Sequence, residues 1–132
     1  MLKFASCFAF LMLLAGCSAK GKVTDFTPNE TNARKALEAA LNQWQNGGPA
    51  GPIQNTDPKV EVTDSKWKSG LALKSYEITG EEPWAKVGPR FFTVRLTMAK
   101  GNPVETKYAV LGIDPLLIYR DEDYQKLTGT GR

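Results

Sequence analysis

Residues 27–49 read TPNETNARKALEAALNQWQNGGP, and this segment contains the strongest helical pattern of the 132-residue chain. Its apolar side chains recur at steps of three and four, which places them on one face of a helix beside a charged face. The apolar positions are Ala33, Leu37, Ala40, Leu41 and Trp44. A helix with one apolar face needs a second layer to cover it, so this segment predicts a layered domain.

The ends of this helix carry residues with strong positional preferences. Thr27 is the predicted N-cap, Pro28 fits the first helical position, and Glu30 can reach back as in a capping box. Gly47-Gly48-Pro49 is predicted to end the helix. We therefore expect a helix of about eighteen residues, about 27 Å long at a rise of 1.5 Å per residue.

The rest of the chain alternates apolar and polar residues as strands do. The clearest strand pattern is FTVRLTM at residues 92–98, followed by a turn at 99–103. Further strands are expected near residues 60–62, 71–78, 108–113 and 116–119. One helix followed by four or five antiparallel strands buries its apolar face by crossing one face of the sheet, which predicts a single α+β domain over residues 27–127, with a loose tail at 128–132.

This order of elements resembles the cystatin-like folds, including the nuclear-transport-factor-like group. Two stretches are similar to short lipoproteins of that group: Asp64, Trp67 and Gly70 at steps of three, and YAVLGIDPLLIYR at residues 108–120. The resemblance implies one helix packed across a curved four- to five-stranded antiparallel sheet. Larger members of the group enclose a pocket with two or three helices, and cystatin inhibitors carry a Q-x-V-x-G loop that this chain lacks.

The N-terminus contains an apolar segment that leads into small residues and a cysteine. Residues 4–14 form an apolar run that is too short to span a bilayer and is typical of a signal-peptide core. The run ends in Leu14-Ala15-Gly16-Cys17, which resembles a lipobox. The resemblance implies a signal peptide at 1–16, a lipidated Cys17 and a polar tether that continues to residue 26. An ordinary secretory signal that leaves Cys17 as a free thiol is the alternative.

The expected location follows from the same resemblance. Ser18, rather than Asp, follows the Cys, which favours the outer membrane, facing the periplasm, if the source has two membranes. Cleavage removes Lys3 and Cys7, so the net charge falls from +3 to +2 and no disulfide can form within the mature chain. A charge surplus this small argues against nucleic acid as a partner.

The chain has no histidine, and this limits the chemistry it can perform. Zinc sites that use His and His-dependent nucleophilic triads are excluded, and we expect no metal and no cofactor. Enzymes of the nuclear-transport-factor-like type use Asp, Tyr and Arg, for which Asp114, Tyr108, Tyr119 and Arg120 are the candidates here. Each candidate also has a structural interpretation. Asp114 can start a turn, and the two tyrosines can pack on strands. Arg120 can be a solvated charge at the end of a strand or can pair with Asp121 or Glu122.

Surface binding is the other way to use these side chains, and the candidate binding residues are Trp84, Arg95, Tyr108 and Arg120. Trp84 follows a proline in a polar connection, where it is either an exposed aromatic or a cap over the end of the sheet. If the apolar positions of strand 92–98 face the helix, Arg95 lies on the opposite, polar face. The other two tryptophans are interpreted as core residues.

These patterns favour a lipid-anchored envelope protein that acts as a non-enzymatic binding or assembly module. Its partners are then the membrane, through the lipid, and an envelope protein or a second copy of the chain. The alternatives are a small-ligand carrier and a His-free enzyme. A cavity of several hundred cubic ångströms that holds a carboxylate would favour a ligand or an enzyme, and a flat open face would favour a partner protein.

Overall fold

The computed structural model describes residues 27–82 and 88–129. The helices of these residues are α1 (Glu30–Gln45), α2 (Ser65–Lys68) and α3 (Asp121–Thr128). The strands are β1 (Gly51–Pro52), β2 (Val60–Thr63), β3 (Leu73–Glu81), β4 (Arg90–Met98), β5 (Val104–Gly112) and β6 (Leu116–Arg120). They form one sheet of order β1-β2-β6-β5-β4-β3.

The predicted α+β class, with one long helix packed against the sheet, is confirmed. The sheet has six strands because the short β1, which was not among the expected strands, pairs with β2 at the edge of the sheet. Neighbouring strands are antiparallel except β2 and β6, which run parallel with Val62 beside Ile118. The sheet is therefore mostly antiparallel, with β2 placed between β1 and the last strand of the chain.

Helix α1 begins later than the sequence pattern predicts. The N-cap is Asn29, whose Oδ1 accepts a hydrogen bond from the Asn32 amide at 2.7 Å. The prediction of Thr27 as N-cap is wrong because its hydroxyl accepts instead from the amide of Gly88, at 3.0 Å. Pro28 consequently precedes the helix. The C-terminal stop is confirmed, since the helix ends at Gln45 and Gly47 adopts a φ of 87°.

The hydrophobic core lies between α1 and one face of the sheet. The predicted apolar face of α1 is buried, with Leu37 fully inaccessible to solvent. The alternation of β4 is also confirmed, because Phe92, Val94 and Leu96 are fully buried. Phe92 stands opposite Tyr108 of β5 in the register, so Tyr108 projects into the same core.

The start of the domain is fastened to the hairpin formed by β3 and β4. Arg90 donates from Nε to the Pro28 carbonyl at 2.7 Å and pairs through Nη1 with Glu81 at 3.2 Å. The bond from Gly88 to the hydroxyl of Thr27 lies at the same place. The chain therefore enters the domain at the end where α1 begins and the β3–β4 hairpin turns.

The opposite face of the sheet is partly covered by α3, an element that the sequence patterns did not predict. Tyr124 of α3 packs edge-on against Phe91 and tilted against Tyr119, with ring centroids 5.8 and 6.1 Å apart. Farther from α3 this face is polar, and Arg95 is exposed between Glu77 and Glu105 on the neighbouring strands. Helix α3 thus covers the part of this face around Phe91 and Tyr119 and leaves the part around Arg95 open.

Candidate functional site

A half-open cleft of about 780 Å³ lies where the C-terminal end of α1 meets α2 and β2. We call it the Trp cleft. Its walls are residues 47–51, 61–65 and 70–73, together with the side chains of Trp44, Gln45, Trp67, Lys68 and Asp123. Its volume lies within the range of small-molecule binding sites, about 300 to 1,000 Å³.

Two stacked tryptophans form the inner side of the Trp cleft. The rings of Trp44 in α1 and Trp67 in α2 lie 5.2 Å apart and are inclined by 9°. Trp44 Nε1 donates to the Leu71 carbonyl at 2.8 Å, and Trp67 Nε1 donates to the Gly48 carbonyl at 2.9 Å. Each indole therefore holds the loop that follows the other tryptophan's helix. Both side chains are buried, which confirms their interpretation as core residues.

A glutamine of α1 fixes the loop that forms one wall. Gln43 Nε2 donates to the carbonyls of Pro49 and Pro52 at 2.8 and 3.3 Å, and its Oε1 accepts from the Gln54 amide at 2.9 Å. The loop has few large side chains of its own. Its backbone is held open by these bonds, so the wall is preorganised and little entropy is lost in ordering it when a ligand binds.

The floor of the cleft is held by Asp64, which is 2% exposed and caps α2. Its Oδ1 accepts from the amides of Lys66 and Trp67 at 3.0 and 3.1 Å. The same oxygen accepts from Arg120 Nε at 2.7 Å, and Oδ2 accepts from the Tyr108 hydroxyl at 2.5 Å. One carboxylate thus joins α2 to the middle of β5 and the end of β6.

Arg120 completes this cluster. It is 4% exposed and donates from Nη1 to the Thr106 hydroxyl at 3.0 Å, while its guanidinium lies 5.6 Å from the centre of the Tyr108 ring. Glu122 is also near, at 4.0 Å. The interpretation of Arg120 as a solvated strand-end charge is wrong, because its close partner is the buried Asp64, which is distant in sequence.

Burial sets the ionisation of the cluster. Burial first, and then the neighbouring Asp64 carboxylate, hold the pKa of the Tyr108 phenol well above its usual range. Burial alone lowers the pKa of Arg120, but Tyr108 and Asp64 outweigh it and raise the value. The cluster therefore holds a neutral phenol and a charged guanidinium. Among the described residues, every buried polar side-chain atom has a hydrogen-bond partner, so the cluster offers no open acid or base.

The structure brings together only part of the predicted set of binding residues. Tyr108 and Arg120 share the buried cluster, whereas Arg95 lies on the opposite face of the sheet. Trp84 and Cys17 lie outside the described residues. Asp64 was not among the predicted binding residues, although Asp is a preferred N-cap residue and this preference could have identified it as the cap of α2.

The remaining residues considered for chemistry are also separate from one another. Asp114 is exposed and accepts from the Lys59 amide at 3.3 Å, in the connection between β5 and β6. Tyr119 packs against α3 on the other face of the sheet. These two side chains and the buried cluster therefore do not form one active site.

Residues 27–82 and 88–129 contain neither a membrane-spanning helix nor a cluster of metal-ligating side chains. No helix there is long and apolar enough to span a bilayer. The same residues contain no group of three or more Cys, Asp or Glu side chains placed to hold a metal ion. Searches of the chain against protein-family models, curated proteins and solved structures returned no match.

Proposed function

We propose that this protein is a lipid-anchored, non-enzymatic binding module of the bacterial envelope and that the Trp cleft is its ligand site. The observation that carries the proposal is a cleft of about 780 Å³ whose walls are fixed by side-chain bonds to backbone carbonyls. A site that is held open in this way binds its ligand without the entropic cost of ordering a loop.

The buried cluster beneath the cleft supports binding rather than catalysis. Asp64, Tyr108 and Arg120 are the residues best suited to acid–base chemistry, but each is at most 4% exposed. Their polar atoms bond to one another, to Thr106 and to the amides of α2. A substrate would have to break these bonds to reach them, so their role is to hold the floor of the cleft in place.

The anchor in this proposal is Cys17, because the residues before it resemble a lipobox. Acyl chains contribute about 0.8 kcal/mol per buried CH₂ group to membrane binding, and a polar tether supplies no substitute. In bacteria grown with labelled palmitate, wild-type protein should carry the label in the membrane fraction. Cys17→Ala should be unlabelled and should accumulate as uncleaved precursor or soluble protein. Equal labelling of the two proteins would refute the anchor.

The cleft is tested by titrating isotope-labelled protein with a low-molecular-weight envelope extract and recording NMR spectra. The indole N–H signals of Trp44 and Trp67 should shift, because both groups bond to the walls of the cleft. Ala72→Trp should abolish the shifts, since Ala72 is exposed and lines the cleft. Thr31→Trp adds the same side chain at the other end of α1 and should leave them intact.

Assembly through the sheet face opposite α1 is a second candidate function, because this face carries exposed side chains. Arg95 is exposed on this face, Leu111 and Leu117 are half-buried, and Leu127 of α3 is 63% exposed. Arginine is among the residue types enriched at interface hot spots. In the same NMR experiment, performed with an envelope protein fraction, shifts around Arg95 with an unchanged cleft would favour assembly, and Arg95→Ala should remove them without unfolding the domain.

A further inference from the structure

We infer that the Trp cleft opens on the side of the domain that faces away from the anchoring bilayer, so that it takes a polar, water-soluble ligand rather than a lipid of that bilayer. This inference rests on the lipid anchor and the cleft proposed above. It follows from where the tether joins the domain, from where the cleft lies, and from the side chains at its rim.

The structure fixes the point at which the tether joins the domain. Thr27 and Pro28 are the first described residues, and Pro28 is buried. They are held by the Gly88 amide and by Arg90 Nε, both at the turn end of the β3–β4 hairpin. A chain arriving from a lipidated Cys17 therefore meets the domain at this end and cannot join it near the cleft.

The Trp cleft lies at the other end of α1. The helix spans Glu30–Gln45, and its sixteen residues cover about 24 Å at 1.5 Å per residue. Trp44 occupies its last turn and bonds to Leu71, beside the start of β3, whereas the end of β3 at Glu81 lies next to Arg90. The helix and β3 therefore both run the length of the domain between the tether and the cleft.

The rim of the cleft suits an aqueous ligand. Glu61, Asp123 and Lys68 line it together with the hydroxyl-bearing Thr63 and Ser65. Glu61 and Lys68 are exposed. These charged groups are of both signs, and their presence beside an acyl chain is unfavourable because a charge loses hydration without gaining a partner there. A ligand that carries hydrogen-bonding or charged groups complements this rim.

The inference is tested with the lipidated full-length gene product, purified from bacterial membranes and reconstituted in phosphatidylethanolamine–phosphatidylglycerol vesicles that carry a headgroup acceptor dye. A donor dye is attached to Thr31→Cys, at the tether end, or to Ala72→Cys, at the cleft. Mass spectrometry establishes the lipid on Cys17, so the introduced cysteine is the free thiol. Energy transfer to the bilayer should be about twofold or more greater from position 31 than from position 72, because roughly the length of α1 separates them.

The outcomes distinguish the inference from the proposal beneath it. Equal transfer, or greater transfer from position 72, with lipid present on Cys17 would overturn the inference and leave the anchor standing. Absence of lipid on Cys17 would overturn the anchor and the inference together. A phospholipid that native mass spectrometry finds on the wild type and not on Ala72→Trp would show that the cleft takes lipid, which would also overturn the inference.

Discussion

Replacing Asp64 by asparagine tests the role assigned to the buried cluster. The substitution keeps the size of the side chain and an oxygen that can cap α2, so the amides of Lys66 and Trp67 retain an acceptor. What is lost is the negative charge that faces Arg120 at 2.7 Å, and the Tyr108 hydroxyl, which donated to Oδ2, must now accept from the Asn amide instead. The experiment therefore isolates the charge pair from the helix cap.

The expected magnitude follows from the burial of the pair. The side chains of Asp64 and Arg120 are 0% and 5% exposed, so the variant leaves a guanidinium buried without its counter-charge. Breaking such a pair costs about 3 to 5 kcal/mol, a large part of the 5 to 15 kcal/mol that stabilises a typical protein. Glu38→Gln is the matched control, because its pair with Arg34 is 44% and 46% exposed and contributes about 0.5 kcal/mol or less.

The assay is equilibrium urea unfolding at pH 7, followed by tryptophan fluorescence and by circular dichroism. Adding Arg120→Met to Asp64→Asn should recover stability relative to the single variant, since an apolar side chain no longer needs a counter-charge. A loss below about 1 kcal/mol for Asp64→Asn, similar to that of Glu38→Gln, would refute the reasoning. Failure of the second substitution to recover stability would refute the assignment of the loss to Arg120.

Three other predictions concern stability and are measured by the same unfolding assay. Leu37→Asp should unfold the domain because it places a charge in the core, whereas Glu38→Ala should be nearly neutral; equal midpoints would contradict the layered fold. Gly112→Ala should be strongly destabilising, since φ is 87° and an added Cβ would lie 2.7 Å from a backbone oxygen, while Gly80→Ala meets open space and should have little effect. Burial and the neighbouring Glu30 carboxyl raise the pKa of Glu81, so protonation of Glu81 favours the folded state. The free energy of unfolding of the wild type should therefore rise relative to that of Glu81→Gln as the pH falls from 7 to about 4. Parallel curves of unfolding free energy against pH for the two proteins would contradict this.

Periodicity predicted the elements that bury one regular face. The step of three and four in α1 and the alternation in β4 were read correctly because a buried face repeats with the period of its backbone. The predicted position of the N-cap was wrong. Thr27 and Asn29 are both residue types that cap helices well, and the Thr27 hydroxyl accepts from the Gly88 amide, so Asn29 is the residue that caps α1. Helix α3 was missed because it is docked mainly through Tyr124 and has no buried apolar face to repeat.

The candidate site was less predictable than the fold. Tyr108 and Arg120 were singled out from sequence, but their partner Asp64 lies 44 and 56 residues away along the chain. Neither side chain carries a local signal of this contact. The pairing of β2 with β6 brings the end of β2, and the Asp64 that follows it, beside Arg120, and it joins strands that are distant in sequence.

The sequence alone therefore determined the α+β class, the apolar face of α1, the alternating strands and the lipobox resemblance at Cys17, because each depends on residues close together in the chain. Only the tertiary structure decided which polar groups are buried together and where the cleft opens. The stacking of Trp44 on Trp67 and the bonds of their indoles to Leu71 and Gly48 depend on how α1 and α2 meet. That meeting is set by the packing of the whole core, which no local pattern encodes.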